Sequence, residues 1–412
     1  MRIRRHYVAC AALIFVSVLR MQAQSEKALL SFKYPGGGGF PISTLLFDSG
    51  TQSFYGTTSI GGANNNGTVF RLKQSSTGNW TETVLYSFKG ILNSDCSGPN
   101  YGVTPKYTSG VIAALYGTCD FGGQNDQGAV FVLTASSTGG WNEKIIYSFQ
   151  GGNDGANPRG GVVIDAQGKL YGTTNVGGTN LGGTVYQLAP AGGIWSKTVL
   201  YNFNSPANPE AHLIRDSHGA LYGSTASDGP SFSGSVFQLV PPGTIGGTWA
   251  YKALYTFSGN TGNGDGANPR GDLIMNSGGA ILGSTQSGGI AGLGTVFKLL
   301  PPNLSHPKWR EQILYKFTSV PTDGASPVGG VTLGMNGVLY GTTSAGGANY
   351  AGTAFQLQAV SGKWVKTILW TFGGVNDGNA PWAHMLLKGG LLYGTTIKGG
   401  NFTYGSVYQI TP

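Results

Sequence analysis

The sequence has little charge, few cysteines and no helical periodicity. Only 10% of its 412 residues are Asp, Glu, Lys or Arg, whereas an average soluble domain has about 25%. After residue 24 no stretch repeats its apolar residues every 3.6 positions, which argues against a helical architecture. The chain instead contains 71 glycines, and 11% of its residues are aromatic. This composition is typical of short β-strands joined by tight turns.

The basic residues do not form the surface that a nucleic-acid-binding protein needs. The formal net charge is +8, but four of the arginines lie within the first 24 residues. Without them 21 basic residues stand against 17 acidic ones, a net charge of +4, and no basic run exists. We therefore expect no nucleic-acid partner.

The first 24 residues have the three-part form of a signal peptide. A basic start at residues 2–6 precedes an apolar stretch at residues 7–19, and cleavage is expected after Ala23. The apolar stretch is shorter than the roughly 20 residues of a membrane-spanning helix. We predict a signal peptide over residues 1–24 and an exported protein, periplasmic or extracellular. No membrane span is expected after cleavage.

One pentapeptide, with the pattern Leu-Tyr-Gly-Thr-Thr, occurs seven times. A short apolar run and a tight turn precede each copy. A Gly-Gly pair, a strand like Gly-Thr-Val-Phe and a last strand follow it. Each unit thus contains four short strands, a to d, bounded by turn residues. We predict an all-β, seven-bladed β-propeller with four antiparallel strands per blade, formed as one domain by residues 25–412. The central glycines of the seven copies are Gly56, Gly117, Gly172, Gly223, Gly283, Gly341 and Gly394.

The two ends of the chain are complementary. Residues 28–32 match strand d of the other units, and residues 407–410 match strand c. We predict that strand 28–32 completes the last blade, in a 3+1 closure that leaves no exposed sheet edge at the seam. The central glycine of each motif is expected to permit a close backbone approach.

The motifs resemble a known repeat family. The third and sixth units contain Leu-Tyr-Gly-Thr-Thr, Gly-Gly, a Gly-Thr-Val-Phe-like strand and Asp-Gly-Ala-x-Pro almost intact. The strand order resembles that of kelch propellers. The motifs resemble more closely the Gloeo-Verruco (GloVer) tandem repeat family, over about residues 29–410. The resemblance implies an exported bacterial repeat protein, and it implies no particular activity.

The most informative residues are those that depart from the repeat. Just after the loop proline most units have a small residue, whereas three units have His212, Asp272 or His384. Glu210 and Trp382 lie two positions before two of these. If strand a is innermost, all five line the mouth of the central channel. We predict that His212, Asp272, Trp382 and His384 bind a ligand there.

A metal site at the same place is the competing interpretation. Two histidines and a carboxylate are ligands that divalent metals accept. However, the three blades are not all neighbours, and packed sheets lie about 10 Å apart. We therefore expect a polar rim with no metal and no cofactor.

The long loops define an expected interaction face. The d–a loops and the b–c loops lie at the same end of a propeller with this strand order, and loops commonly carry function. Cys96 and Cys119, the two cysteines after the signal peptide, both fall near this face. We predict a disulfide between them, provided that the fold brings their Cα atoms close. Four aspartates of the d–a loops lack the Asp-x-Asp-x-Asp-Gly pattern of a calcium loop and indicate turns: Asp154, Asp265, Asp323 and Asp377.

Two functional hypotheses remain open. The first is a monomeric, non-enzymatic binding scaffold that presents the long-loop face to a protein or a polysaccharide. The alternative is an extracellular carbohydrate-active or other hydrolytic enzyme at the channel mouth. A nucleophile elbow, a His-Glu-x-x-His motif, a phosphate loop and a dinucleotide fingerprint are all absent. A shared concave pocket with a perturbed ionisable group would support the enzyme, whose residues would be His212, Asp272, His384 and Glu210.

Overall fold

In the computed structural model the described part of the chain forms a ring of seven four-stranded antiparallel sheets. The structure describes residues 24–412 except 138, 205, 245, 260–263, 319–321 and 375. The signal peptide predicted over residues 1–24 lies outside this part apart from Gln24. No helix within the described residues is long and apolar enough to span a bilayer.

Six of the blades are built from consecutive strands a, b, c and d. Blade 1 consists of Leu46–Asp48, Ser53–Thr58, Thr68–Gln74 and Trp80–Ser87. Blade 2 consists of Thr104–Thr108, Val111–Cys119, Ala129–Ala135 and Trp141–Ser148. Blade 3 consists of Val163–Ile164, Leu170–Thr174, Thr184–Ala191 and Ile194–Asn202. Blade 4 consists of Ile214–Arg215, Leu221–Thr225, Ser235–Val240 and Ala250–Thr256. Blade 5 consists of Ile274–Met275, Ile281–Thr285, Thr295–Leu300 and Arg310–Lys316. Blade 6 consists of Val331–Leu333, Leu339–Thr343, Thr353–Val360 and Lys363–Thr371.

The seventh blade joins the two ends of the chain. Its strands a, b and c are Leu386–Lys388, Leu391–Thr396 and Ser406–Thr411, and its strand d is Ser25–Ser31. Ser25 lies opposite Thr411 in the antiparallel register. The predicted 3+1 closure is therefore confirmed, with strand d at residues 25–31 rather than 28–32. The pairing leaves no free sheet edge at the seam.

Short pairings tie the d–a loops to the b–c loops at one end of the ring. Two single-turn 3-10 helices lie in the d–a loops, Ile91–Asn93 and Gly152–Asp154. A third, Met335–Gly337, lies between strands a and b of blade 6. A disulfide joins Cys96 and Cys119 in this loop layer, with their Cα atoms 5.7 Å apart. The two-stranded pairs are Gly38–Gly39 with Ile60–Gly61, Cys96–Ser97 with Phe121–Gly122, Gly266–Ala267 with Ser287–Gly288, and Gly378–Asn379 with Lys398–Gly399.

The hydrophobic core is divided among the seams between blades. Seven buried clusters each join residues of two neighbouring blades, so all seven seams are filled. At the seam of blades 4 and 5, for example, Tyr222 packs in the same cluster as Phe297. Each large apolar side chain buried in this way stabilises the fold by about 1.5–3 kcal/mol. Both faces of each blade are apolar because both are covered.

The central glycine of each motif makes room for an aromatic ring. Gly223 lies opposite Phe237 on strand c, and a Cβ on Gly223 would stand 2.6 Å from the Cζ atom of that ring. In all seven blades the nearest atom belongs to the Phe or Tyr at this position of strand c. The close approach is therefore made mainly by a side-chain ring. In blades 2 and 3 a backbone carbonyl also lies within 3.0 Å of the added Cβ, as the sequence analysis expected.

Candidate functional site

All seven blades contribute to one cavity at the end of the central channel. The cavity has a volume of about 320 Å³. It is lined by the segment that precedes strand a in each blade and by Asp120, which follows strand b of blade 2. Strand a is therefore the innermost strand. Each blade supplies the residue that follows its loop proline: Ile42, Asn100, Arg159, Glu210, Arg270, Val328 and Trp382.

The five residues singled out from the sequence, Glu210, His212, Asp272, Trp382 and His384, all line this cavity. His212 and Asp272 are in direct contact, with 3.1 Å between Nδ1 and Oδ1. The backbone N–H of His212 donates to the same oxygen at 3.1 Å. The expected separation of about 10 Å does not apply here, because the segments before strand a converge on the channel axis. The polar residues are spread in the sequence and gathered in space.

The ring of His212 lies close to two acceptors. Its Nδ1 faces Asp272 Oδ1, and the backbone carbonyl of Tyr101 also favours the protonated ring. Burial by itself would lower the pKa of His212, but Asp272 and the Tyr101 carbonyl together raise it above its usual value. Burial opposes ionisation of Asp272 as well, yet His212 holds the pKa of Asp272 far below its usual value. Each group therefore favours the charged form of the other, an imidazolium next to a carboxylate.

His384 belongs to the same cavity but has the opposite tendency. Burial lowers the pKa of His384 below its usual value, and the attraction of Asp272 offsets this only in part. His384 is therefore neutral at pH 7. The described residues include no group of three or more His, Cys, Asp or Glu side chains that could hold a metal ion.

Glu210 forms the centre of an ion-pair network across three blades. Its Oε1 accepts a hydrogen bond from Arg159 Nη1 at 2.8 Å, and its Oε2 accepts one from Arg270 Nη1 at 2.7 Å. Asn175 Nδ2 adds a longer contact to Oε1 at 3.3 Å. The carboxylate is thus fixed between two guanidinium groups, one from the segment before blade 3 and one from the segment before blade 5.

Asp120 is the most buried carboxyl of the cavity, and the sequence analysis missed it. It follows strand b of blade 2 and is 3% exposed. Its Oδ2 accepts a hydrogen bond from Asn100 Nδ2 at 3.1 Å and lies 3.5 Å from Arg159 Nε. Burial raises the pKa of Asp120 to about 6, although Arg159 acts in the opposite direction.

A simple alignment of the repeats could have identified most of the missed residues. Arg159, Arg270 and Asn100 directly follow a loop proline, the same register as Glu210 and Trp382. Asp120 directly follows the pentapeptide, where the next blade has Asn175. The signal was present, but Asn-Pro-Arg-Gly resembles an ordinary turn and gives no sign of the cavity.

The loop aspartates organise turns, as the sequence indicated. Asp154 accepts a hydrogen bond from the backbone N–H of Gln150 at 2.8 Å. Asp323 accepts the equivalent bond from Thr318 at 2.8 Å. Asp265 and Asp377 make the same kind of contact in their loops. These carboxylates therefore fix the start of the d–a loops.

Comparison with known proteins identifies the family. The model described as the Gloeobacter/Verrucomicrobia repeat matches residues 108–319 and 279–412. The chain belongs to this family. No curated protein matches this Gloeobacter/Verrucomicrobia repeat protein.

Solved structures share the fold of this Gloeobacter/Verrucomicrobia repeat protein at low sequence identity. A Bacteroides uniformis protein named as a 6-phosphogluconolactonase is 14% identical, with a TM-score of 0.51, over 82% of this chain and 85% of that one. The extracellular domain of a B. thetaiotaomicron protein named as a hybrid two-component system is 10% identical, with a TM-score of 0.54. That match covers 92% of this chain and 39% of the other. Such similarity establishes the propeller fold alone.

Proposed function

We propose that this protein is an exported binding protein that receives a small polar ligand, such as the end of a polysaccharide chain, in its central cavity. The observation that carries the proposal is the convergence of all seven blades on one cavity lined by charged and polar groups. Its volume of about 320 Å³ falls in the range of small-molecule sites, about 300–1,000 Å³. A standard protein–protein interface instead covers about 800 Å² on each partner.

The state of the ionisable groups favours binding over catalysis. Glu210 is held by two arginines, and His212 is held against Asp272. A general base needs a free lone pair within reach of the substrate. Groups that are fixed in this way suit recognition by a preorganised set of charges.

Trp382 gives the cavity a surface for a sugar ring. It is 41% exposed, and it lies in the segment before strand a of blade 7 together with His384. An exposed aromatic ring offers apolar area for stacking, while the charged groups on the other blades offer hydrogen bonds. This combination of one aromatic face and several polar groups favours a saccharide.

A hydrolytic enzyme at the same site is the second candidate. The observation in its favour is the one named in the sequence analysis. His212, Asp272, His384 and Glu210 share one cavity with Asp120, a carboxyl whose burial raises its pKa to about 6. Two carboxyl groups that flank one substrate are the arrangement of many glycosidases. Product formation distinguishes this candidate from binding alone.

The test is a glycan-array screen with protein produced from the full chain, followed by calorimetry with the best oligosaccharides. We expect saturable binding, weakened about tenfold or more by Trp382→Ala because the stacking surface is lost. Tyr350→Ala is the matched control, since Tyr350 is an exposed aromatic residue outside the cavity, and it should leave the affinity unchanged. Release of new reducing ends would favour the enzyme. Absence of binding to every glycan would contradict the proposal.

A further inference from the structure

Two hydrogen-bond acceptors in the cavity have no protein partner. Asp120 Oδ1 and Asn100 Oδ1 are buried, and neither accepts a hydrogen bond from any residue that the structure describes. The side chain of Asp120 is only 4% exposed. A buried acceptor without a donor costs free energy. A ligand that donates to these atoms therefore gains affinity.

The rest of each group is held in place. Asn100 Nδ2 donates to Asp120 Oδ2 at 3.1 Å, and Arg159 Nε lies 3.5 Å from the same oxygen. The carboxylate and the amide are thus fixed relative to each other, and each has one oxygen that accepts no hydrogen bond from the described residues. Arg270 Nε is a buried donor of the same cavity that lacks an acceptor among the described residues. Hydroxyl groups satisfy both needs, because they donate and accept.

An ionic group on the ligand is less suited to this pair of acceptors than a hydroxyl group. A ligand carboxylate would meet two acceptors at Asp120 Oδ1 and Asn100 Oδ1. An ammonium group that donates to them would lie near Arg159, whose Nε is 3.5 Å from Asp120 Oδ2. A hydroxyl group donates to the same acceptors without adding a charge.

We propose that Asp120 and Asn100 recognise a pair of neighbouring hydroxyl groups on an uncharged saccharide. The inference rests on the binding function proposed above and adds the class of ligand and the residues that select it. The carboxylate accepts one hydroxyl through Oδ1, the amide accepts the second, and Trp382 contacts the ring.

Recognition by Asp120 makes the affinity depend on pH. The groups that face Asp120 are Asn100, Arg159, Glu210 and Tyr101. Its pKa is about 6, and the ionised carboxylate is the stronger acceptor. Because the ligand binds the ionised form, the affinity is fully developed well above pH 6. It decreases as the pH falls through 6, since a proton must then be released on binding.

The experiment measures the affinity of the full-chain product for hexasaccharides at pH 5 and pH 8. The neutral probes are cello-, xylo-, manno- and laminarihexaose, and the charged probes are hexagalacturonate and a chitosan hexamer. We expect a neutral hexamer to bind best, and about tenfold more tightly at pH 8 than at pH 5. Asp120→Asn should weaken binding at pH 8 by tenfold or more and remove the pH dependence. Asn100→Ala should weaken binding and keep the pH dependence.

Glu143→Gln is the matched control. Glu143 is a carboxyl with a raised pKa, about 7, at a blade seam outside the cavity, and its variant should bind like the wild type. Wild-type binding that neither Asp120→Asn nor Asn100→Ala changes would overturn the inference and leave the proposed function intact. A preference for the galacturonate or the chitosan hexamer would also overturn it. Failure of the wild type to bind any hexamer would contradict the proposed function itself.

Discussion

At the scale of single residues, the repeat is defined by the contact between a glycine on strand b and an aromatic ring on strand c. The glycine was visible in the sequence as an invariant position among the seven copies. The ring that covers it was not, because the cross-strand register decides which residue lies opposite. Phe237 faces Gly223 only because Thr225 pairs with Ser235. The sequence thus predicts the importance of the position, and the structure gives the reason.

We expect Gly223→Ala to destabilise the protein by about 2 kcal/mol or more. The new Cβ would stand 2.6 Å from Phe237 Cζ and 2.9 Å from Leu213 Cδ2, and overpacking of this kind typically costs about 1–3 kcal/mol. Urea unfolding measures the change in the free energy of unfolding. Gly243→Ala is the control, because no atom lies within 4 Å of that Cβ. A loss below about 0.5 kcal/mol for Gly223→Ala would show that the ring moves freely.

Blade 2 shows a paired departure from the repeat. In the six other blades the second Thr of the motif contacts a Thr or Ser hydroxyl at the start of strand c, at 2.8–3.0 Å. In blade 2 Cys119 lies opposite Ala129. The hydroxyl pair is replaced there by the bond from Cys119 to Cys96. The sequence shows that Cys119 replaces the usual threonine. It does not show that Cys96 lies close by, because that depends on the pairing of Cys96–Ser97 with Phe121–Gly122.

At the scale of elements, one position of strand d controls the electrostatics of several blade seams. Lys197 contacts Asp154 of the preceding d–a loop at 2.8 Å, and Lys366 contacts Asp323 in the same way. Glu26 occupies the equivalent register on the strand d of blade 7, near Asp377. At this position of strand d, some blades thus have a lysine that attracts the loop aspartate, and others have a glutamate that repels it. Glu143 and Glu311 also have an aspartate neighbour.

The glutamates at this position of strand d, Glu26, Glu143 and Glu311, make the stability of the protein depend on pH. Burial raises the pKa of Glu26 to about 7, and Asp377 adds to the effect. In the unfolded chain the pKa of this group is close to its ordinary value of 4.5. The folded state therefore binds the proton more tightly, so this contribution to stability is largest at low pH. It decreases as the pH rises from about 4.5 to about 7.

Glu26→Lys is expected to stabilise the protein at pH 8 by about 1–2 kcal/mol, since it replaces a like-charge contact with Asp377 by an ion pair. The gain should be smaller at pH 5, where Glu26 is already protonated in the folded state. Chemical unfolding at the two pH values measures it. The reverse exchange, Lys366→Glu, is the matched control and should destabilise the protein at pH 8. An equal effect of Glu26→Lys at both pH values would argue against the raised pKa.

At the scale of the whole molecule, the fold was largely predictable and the site only in part. Seven units, four strands per unit and the 3+1 closure follow from local patterns that repeat along the chain. The contact between His212 and Asp272 joins residues of two successive units, 60 positions apart. Such contacts form because the segments before strand a converge when the ring closes. A local sequence pattern does not show which of these segments meet. The repeat alignment therefore places Arg159 and Arg270 in the register of Glu210, but only the closed ring shows that they are its partners.

The ring also explains why the cavity belongs to no single repeat. Each blade contributes one residue after its loop proline, and apart from the two arginines these residues differ in charge, size or polarity. A repeat architecture that is uniform in its core is therefore variable at its axis. Binding specificity can be set there without changing the packing between blades.

The most direct test of the proposed function is a crystal structure of the protein with the oligosaccharide that binds most tightly in the screen. The account predicts electron density for a sugar ring in the central cavity, in contact with Trp382, with two hydroxyl groups on Asp120 Oδ1 and Asn100 Oδ1. Density for the saccharide at another surface, with the central cavity free of it, would contradict the account.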